Sequence, residues 1–314
     1  MHMAPLFGYH MPNFSFPGVP REGLFDHVAG LAQAAESAGF DLVTVMDHFY
    51  QIPVVGPEAE PMLEAYSTLA ALAARTSRVR LGALVTGVTY RNPALLAKTV
   101  TTLDVISRGR AILGIGAAWN EAEHLGYGFA FPPIRERMDR LDEALRIAKL
   151  MFTEGRPSFE GRYYRIDRAL NSPAPIQPGG PKILVGGGGE KRTLRLVARH
   201  ADMAHWFVSS LDELKRKNEA LKRHCEAEGR DPSTVLRTIS APILLVRDER
   251  EARALAERIP PERLALFKPA LPNQAAEILR AYMAAGVQGF TFGNPNLATP
   301  ELIGAAGQLK RLLD

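Results

Sequence analysis

The sequence predicts a (β/α)8 barrel, the TIM-barrel fold, with small insertions. Eight short apolar runs alternate with helix-patterned segments along the 314 residues. Most of these runs are apolar throughout, as expected for strands covered on both faces. Strict alternation of strands and helices builds a parallel sheet. A doubly wound sheet with a second domain is the competing interpretation. Eight units and no linker-like stretch favour one barrel in a single domain spanning residues 1–314.

Each predicted element follows from its pattern. The strands cover 5–11, 41–46, 79–85, 110–116, 182–187, 202–207, 236–246 and 287–293. The helices fall at roughly 22–38, 64–76, 94–106, 134–152, 190–200, 211–227, 273–284 and 300–312. The helix at 134–152 has the clearest apolar face, with opposite charges paired at i,i+4 on the remainder. A hairpin at 158–166 and an extra surface segment at 247–272 are the predicted insertions.

The amino-acid composition and the spacing of particular residues argue against several classes of protein. The hydrophobic fraction is 46%, the net charge is +4, and the only cysteine is Cys225, so no internal disulfide can form and a cytoplasmic location is expected. No run is long enough to predict a membrane span. The basic residues lack the aromatic interleaving typical of nucleic-acid binding. The histidines and the single cysteine lack metal-ligand spacing, so no metal site is predicted. A small-molecule ligand is the expected partner.

The residues that follow each predicted strand are the candidate site, because a barrel of this kind places its active site at the carboxyl ends of the strands. Asp47 and His48 follow the second strand in "MDHFYQ". Such a pair can hold a ring or transfer a proton near neutral pH. The alternative is that Asp47 caps the following segment and His48 is a structural histidine.

A run of four glycines, Gly186 to Gly189, follows the fifth strand and precedes a helix pattern beginning near Glu190. Backbone N–H groups of a glycine-rich turn at a helix N-terminus can form a cradle for phosphate. A tight turn is the alternative, for which one or two glycines would be enough. The spacing does not fit G-x-G-x-x-G, because the third glycine would fall on Lys191.

Three stretches resemble one family. "FDLVTVMDHF", "RLGALVTGVTYRNPALLAKTVTTLDVISRGRAILGIGAAWNEAEH" and "KILVGGGGEKRTLRLVARHADMAHWF" resemble the bacterial luciferase-like superfamily of flavin and deazaflavin oxidoreductases. Within it, they are most similar to the branch that uses coenzyme F420. The similarity runs from about Leu6 to Phe207. It implies a barrel that holds the cofactor ring at its mouth, with the cofactor phosphate on the glycine loop.

The resemblance also implies roles for individual positions. His48 matches the residue that donates or accepts the proton. The cofactor-contacting positions are Asp47, His48, Ala83, Leu84, Thr86, Asn120, Gly186, Gly187, Gly188 and Gly189. The family's non-proline cis peptide would fall at Ala83–Leu84 or one residue later, with Leu84 against the ring. Lys191 and Arg192 follow the glycines, where positive charge would favour the carboxylate tail of F420.

Two departures from the sugar-phosphate dehydrogenases of this branch bear on the substrate. Ala117 and Ala118 stand where those enzymes carry a catalytic glutamate, and Ile52 stands where they carry a tryptophan. Glucose 6-phosphate is therefore not the expected substrate. Trp119 and Trp206 would line the pocket or lie in the core.

The sequence and the resemblance together predict an F420-dependent oxidoreductase that transfers a hydride between the deazaflavin C5 and a small organic substrate. The alternatives are an FMN-dependent luciferase-like monooxygenase and a non-catalytic cofactor-binding relative. Family members are often dimers, so a homodimer is possible.

Overall fold

The protein is described by a computed structural model that covers residues 4–259, 264, 266–293 and 297–313. The strands are β1 (Leu6–Met11), β2 (Leu42–Val45), β3 (Arg80–Ala83), β4 (Thr86–Gly87), β5 (Ile112–Gly116), β6 (Phe159–Glu160), β7 (Arg165–Ile166), β8 (Lys182–Gly186), β9 (Met203–Trp206), β10 (Leu236–Ser240), β11 (Ile243–Leu245), β12 (Lys268–Ala270) and β13 (Gly289–Phe292). The helices are α1 (Leu24–Ser37), α2 (Ala65–Arg75), α3 (Pro93–Ser107), α4 (Glu121–Gly126), α5 (Ile134–Thr153), α6 (Thr193–His200), α7 (Leu211–Ala227), α8 (Glu249–Arg258), α9 (Pro272–Ala284) and α10 (Pro300–Leu313).

The largest sheet is a closed parallel barrel. Its strand order is β3-β2-β1-β13-β10-β9-β8-β5-β4, and a parallel bridge between Leu81 and Ala111 joins β3 to β5. β3 and β4 are two pieces of one strand, interrupted at Leu84–Val85, whose peptide bond is cis. The barrel thus has eight strand positions, which confirms the predicted fold. The cis bond lies at the second of the two positions that the family resemblance implied.

One predicted strand differs from the structure, and the predicted insertions are present. The strand predicted at 236–246 is broken at Ala241 and Pro242: β10 stays in the barrel, whereas β11 pairs with β12 in a separate sheet. Proline has no N–H to donate to the barrel ladder, which accounts for the break. The hairpin at 158–166 is confirmed as the antiparallel pair β6–β7. The segment 247–272 contains α8 and β12, while its residues 260–263 and 265 lie outside the described part.

Apolar side chains pack on both sides of the barrel wall. The larger core lies between the strands and the surrounding helices and includes Phe7, Phe290 and Trp206. A second cluster, of Leu42, Ile112, Leu184 and Met203, comes from four different strands and fills the interior of the barrel. Alternation along β2 places Leu42 inside and Val43 outside.

Glycines let the interrupted strand lie close to β5. A Cβ built on Gly114 would lie 1.9 Å from the carbonyl oxygen of Ala83, and one on Gly82 would lie 2.7 Å from the carbonyl oxygen of Ile112. Backbone atoms cannot yield at such distances, so any side chain here would force the two strands apart. A Cβ on Gly116 would come within 2.9 Å of the Val85 side chain. The sequence Gly114-Ile115-Gly116 in β5 is therefore required for the barrel to close.

Carboxylates hold the strand ends at the other face of the barrel. Glu36, at the end of α1, is 9% exposed and accepts hydrogen bonds from the backbone N–H groups of Ser77, Arg78 and Val79 at 2.6–3.2 Å. Burial alone would raise the pKa of this carboxyl, but the hydrogen bonds from the three amides outweigh it and lower the pKa to about 2. Glu36 therefore ties α1 to the start of β3 as an ionised group.

Glu36→Gln should lower the free energy of unfolding at pH 7 by about 2–3 kcal/mol, because hydrogen bonds to an ionised acceptor are replaced by weaker ones. The folded-state pKa lies below the ordinary value of 4.5, so this stability is present above about pH 4.5 and is lost as the pH falls towards 2. Urea unfolding at several pH values measures both effects.

The matched control is Glu22→Gln, which removes a charge from an exposed residue near the start of the same helix. It should change stability by less than about 0.5 kcal/mol at any of these pH values. A Glu36→Gln protein as stable as the wild type at pH 7 would contradict the assignment.

Candidate active site

His48 lies at the carboxyl end of β2 and contacts a carboxylate that comes from another strand unit. Its Nδ1 is 2.7 Å from Oε1 of Glu123, which belongs to α4, the helix after β5. The side chain of His48 is 13% exposed and that of Glu123 is fully buried. A carboxylate can only accept here, so Nδ1 carries the proton and Nε2 is left to face a substrate.

Glu123 is held by several donors in addition to His48. Tyr90 Oη donates to Oε2 at 2.7 Å and Asn120 Nδ2 donates to Oε1 at 3.0 Å, while the backbone N–H of Tyr50 also donates. Burial raises the pKa of this carboxyl, but the hydrogen bonds from His48 and its neighbours outweigh burial and lower it. Glu123 is thus an ionised, buried orienting group for His48.

An aromatic surface flanks His48. The Trp119 ring lies edge-on to the imidazole at 5.5 Å between ring centroids, and 59% of Trp119 is exposed. Phe207, at the end of β9, is 72% exposed. Trp206 is fully buried in the outer core, so of the two tryptophans only Trp119 is placed to contact a ligand at the mouth.

The carboxylate of Asp47 forms an ion pair with Arg91. Arg91, just after β4, donates to both of its carboxylate oxygens at 2.6 and 3.1 Å, and also to Glu64 at 2.5 Å. Burial raises the pKa of Asp47, and the Arg91 guanidinium opposes that shift. Thr86 donates to Asp47 as well and lies 2.6 Å from the hydroxyl of Tyr66. The structure therefore joins Asp47 and Thr86 in one network.

The upper interior of the barrel is polar and uncharged. His10 Nδ1 lies 2.9 Å from Thr44 Oγ1, and His205 Nδ1 lies 3.0 Å from Thr238 Oγ1. Burial lowers the pKa of His10 to about 4 and that of His205 to about 3, so both rings are neutral at pH 7. This layer lies above the apolar interior plug and forms the floor of the mouth.

The four glycines of the loop, Gly186 to Gly189, occupy different structural environments. Gly186 continues β8, and a Cβ there would lie 2.8 Å from the Val85 side chain. Gly187 has φ +114° and donates its N–H to the carbonyl of His205 at 3.1 Å. These two glycines serve the fold, and the amide of Gly187 is already used. Among the described residues, the N–H groups of Gly188 and Gly189 have no hydrogen-bond partner.

A buried cation supports the second half of this loop. Lys217 of α7 is 8% exposed, pairs with Glu213 at 3.2 Å and donates from Nζ to the carbonyl oxygen of Gly188 at 2.8 Å. A Cβ on Gly188 would lie 2.6 Å from this Nζ. The helix that follows begins at Thr193, three residues later than predicted, because Glu190–Arg192 form a turn. The loop thus combines two free amides, a buried ammonium and a nearby helix N-terminus, which is a donor set suited to an anion.

The other predicted positions lie around this mouth. Ala83 and Leu84 border the interrupted strand, with Ala83 buried and Leu84 half-buried. Asn120 precedes α4, and its side-chain amide binds Glu123. Within the described residues no group of three or more His, Cys, Asp or Glu side chains is placed to hold a metal ion. No helix of the described chain is long and apolar enough to cross a membrane.

Sequence reasoning missed Glu123 and Arg91, the charged partners of His48 and Asp47. Glu123 stands in "WNEAEH" beside another acid, Glu121, and nothing local distinguishes the buried one from the exposed one. Arg91 stands in "TYRNP" and reads as the polar end of a strand. One signal in the sequence could have identified them. Both residues follow the carboxyl end of a predicted strand, where side chains of different strand–helix units meet.

Comparisons with known proteins agree with this architecture. A model described as luciferase-like monooxygenase matches residues 6–300. The chain is 33% identical over 305 residues to an F420-dependent glucose-6-phosphate dehydrogenase of Kineococcus radiotolerans, covering 85% of this chain and 87% of that protein.

Solved structures show the same fold. An F420-dependent secondary alcohol dehydrogenase in complex with an F420-acetone adduct superposes with a TM-score of 0.81 at 20% identity, covering 99% of this chain and 100% of that one. EDTA monooxygenase from Chelativorans sp. BNC1 superposes with a TM-score of 0.83 at 16% identity, covering 98% and 94%. With the family match across most of its length, this chain belongs to the luciferase-like monooxygenase family.

Proposed function

We propose that this protein is an F420-dependent oxidoreductase that transfers a hydride between the deazaflavin and a small organic substrate. The observation that carries the proposal is the buried His48–Glu123 pair at the mouth of a luciferase-like barrel. Relatives at about one-third identity over most of the chain are F420-dependent dehydrogenases, which supports the choice of cofactor.

The role of the protein's own residues in this reaction is to transfer a proton. When bound, the deazaflavin would supply or accept the hydride at its C5. In carbonyl reduction, Nε2 of His48 would donate a proton to the substrate oxygen, and in alcohol oxidation it would accept that proton. Nδ1 keeps its proton throughout because it donates to Glu123. The carboxylate holds the proton on Nδ1 and fixes the ring plane.

The residues at the glycine loop fit the cofactor phosphate. Gly188 and Gly189 offer two free N–H groups, and a Cβ at either position would crowd Lys217 or Thr193. Lys217, which is paired with Glu213, packs beside them and donates to the Gly188 carbonyl. Gly186 and Gly187 would contribute shape rather than hydrogen bonds. Leu84 and Thr86, on either side of the interruption, are the residues proposed to contact the ring.

The mouth favours an uncharged substrate with an apolar or aromatic part. Its two inner histidines are neutral at pH 7, and Arg91 is paired with Asp47 and Glu64. Trp119 presents an exposed aromatic ring next to His48. A sugar phosphate would need cations that these groups do not provide, which agrees with the absence of the dehydrogenases' glutamate at Ala117–Ala118.

A second candidate is an FMN-dependent monooxygenase. The family description and the likeness to EDTA monooxygenase favour it, since FMN carries a phosphate that the same loop would hold. Oxygen uptake with reduced FMN is its distinguishing activity. Binding of either cofactor without turnover would instead indicate a non-catalytic relative.

His48→Asn should lower turnover by about 10²–10⁴-fold, because it removes the proton-transferring ring while its amide can still donate to Glu123. Glu123→Gln should lower kcat by about 10- to 100-fold through misorientation of His48. The double variant should be within about threefold of His48→Asn, since Glu123 acts through His48. Oxidation of reduced F420 by a panel of aldehydes, ketones and activated alkenes measures turnover.

Tyr90→Phe is the matched control, because it removes a hydrogen bond to the other oxygen of Glu123 without altering the contact with His48. It should reduce kcat much less than Glu123→Gln, and F420 affinity should be similar in all four proteins. Full additivity of the two single effects would show that Glu123 does not act through His48.

Gly189→Asp should weaken F420 binding by well over tenfold, because it places a carboxylate where the phosphate is proposed to bind. Gly189→Asn has nearly the same shape without the charge, so it should weaken binding distinctly less. Calorimetric titration measures both affinities, and circular dichroism confirms that the fold is intact. Equal affinities for the Asp and Asn variants would remove phosphate binding from the role of this loop.

The cofactor itself is the most direct test. F420 should bind with a dissociation constant in the micromolar range or below, at least tenfold lower than that of FMN, because its tail adds contacts beyond the phosphate. Fluorescence titrations with the two cofactors, at one ionic strength, measure this difference. If FMN binds as well as F420 or better, the monooxygenase replaces the proposed function.

A further inference from the structure

The loop between β5 and α4, residues 117–120, carries Trp119 beside His48. Trp119 is 59% exposed, whereas the other three residues of this loop are half-buried. Its ring lies edge-on to the His48 imidazole, at 5.5 Å between ring centroids. The proposed proton transfer makes no use of the indole. The ring therefore offers a planar apolar surface to whatever molecule binds next to the proton-transferring group.

A buried arginine holds the backbone on the amino-terminal side of Trp119. Arg137, in the first turn of α5, is 9% exposed. Its Nη1 donates to the carbonyl oxygen of Ala117 at 3.2 Å and also to that of Ala118. Its Nε donates to the carbonyl oxygen of Pro132 at 3.0 Å. One side chain of α5 thus binds two successive peptide groups of the loop.

These carbonyl groups take the place of an ion pair for Arg137. Within the described part of the chain, no carboxylate oxygen lies within 4 Å of its nitrogens. The guanidinium instead lies over the Phe131 ring, at 4.2 Å from its centroid. A buried charge is costly unless it is hydrogen-bonded, so the loop carbonyls are required by Arg137 as much as Arg137 is required by the loop.

The backbone of Ala118 has a conformation that needs such support. Its φ is +60°, in the left-handed region that residues with a Cβ rarely adopt. A Cβ on Gly87 would lie 3.2 Å from the Cβ of Ala118, so the loop packs closely on β4. On the other side of Trp119, the carbonyl oxygen of Asn120 accepts a hydrogen bond from His124 Nδ1 at 2.6 Å. The backbone is therefore fixed on both sides of the indole.

We infer that Trp119 determines specificity at the mouth by packing against a planar, conjugated carbonyl substrate, and that Arg137 is the residue that positions Trp119. This assignment rests on the proposed function and adds the substrate class to it. Contact between two aromatic groups stabilises a complex beyond the area that it buries, by the equivalent of about a three- to tenfold change in affinity. Arg137 is buried beneath the loop, so it would affect the substrate only through Trp119.

The substrate class is tested with benzaldehyde and cyclohexanecarbaldehyde, which differ in planarity and conjugation, as oxidants of reduced F420. Trp119→Leu should raise KM for benzaldehyde by about three- to tenfold and KM for the cyclohexyl compound by less than about twofold. The kcat for benzaldehyde should stay within about twofold of the wild-type value, because His48 is intact. An equal rise in KM for both aldehydes, or a wild type that reduces neither, overturns the inferred substrate class.

The positioning role is tested with Arg137→Met and the conservative variant Arg137→Lys. Arg137→Met should raise KM for benzaldehyde as selectively as Trp119→Leu does. Arg137→Lys should have a smaller effect, because its ammonium can still donate to a carbonyl. Adding Ala118→Gly to Arg137→Met should restore much of the loss, since glycine adopts a positive φ without a steric penalty. Circular dichroism confirms that the variants are folded.

Tryptophan fluorescence gives a second readout that needs neither cofactor nor turnover. Trp206 is fully buried, so the emission that iodide quenches comes from Trp119. The anisotropy of this emission should decay faster in Arg137→Met than in the wild type, and Ala118→Gly should slow it again. The matched control is Arg135→Met, which removes an exposed arginine from the same turn of α5 and should change neither the anisotropy nor either KM.

The outcomes separate this inference from the proposed function. An unchanged anisotropy decay in Arg137→Met, or a loss that Ala118→Gly does not restore, would show that Arg137 does not position Trp119. If the wild type does not bind F420, the proposed function fails, and with it the substrate class. The fluorescence of the Arg137 variants would still decide whether Arg137 holds the loop.

Discussion

The mouth of this barrel depends on one constraint: the interrupted strand formed by β3 and β4 must pack closely against β5 and β8. At Gly114 the Ala83 carbonyl occupies the space of a side chain, and Val85 occupies the corresponding space at Gly116 and Gly186. Three strand units therefore meet closely, with the Val85 side chain filling the space that Gly116 and Gly186 leave. This contact closes the barrel and brings the end of β5, which leads to Glu123, towards the end of β2, which carries His48.

Charge at the two ends of the barrel is handled in different ways. At the amino-terminal face, Glu36, Asp41, Asp104 and Asp202 accept hydrogen bonds from backbone N–H groups at or just before strand starts, and so fix the strands. At the mouth, carboxylates pair with side chains, as in Asp47–Arg91 and Glu123–His48. The first arrangement acts on backbone N–H groups, although Asp41 and Asp202 also pair with Lys310 and Lys182. The second depends on which side chains the fold brings together, and it can therefore support chemistry.

This difference explains what the sequence could predict. The barrel and its strands follow from apolar runs, which are local properties, and His48 could be selected because it follows a strand. Glu123 could not, because its burial depends on contacts with His48, Tyr90 and Asn120 that lie 3 to 75 residues away. The roles of the four glycines were likewise hidden. Gly186 is required by Val85, which is distant in sequence, and Gly187 differs from Gly188 in its backbone dihedral and in its hydrogen bond to His205.

The positions of the charged residues around the barrel mouth decide whether this protein can bind a polyanionic cofactor and still react with an uncharged substrate. Cations at the mouth would draw the phosphate and carboxylates into the reaction space and compete with the substrate. Here Arg91 is neutralised by Asp47 and Glu64, and the inner histidines carry no charge at pH 7. Lys217, the cation behind the glycine loop, is likewise paired, with Glu213 at 3.2 Å. The glycine loop would therefore hold the cofactor phosphate mainly through the free N–H groups of Gly188 and Gly189, and would leave the ring at His48.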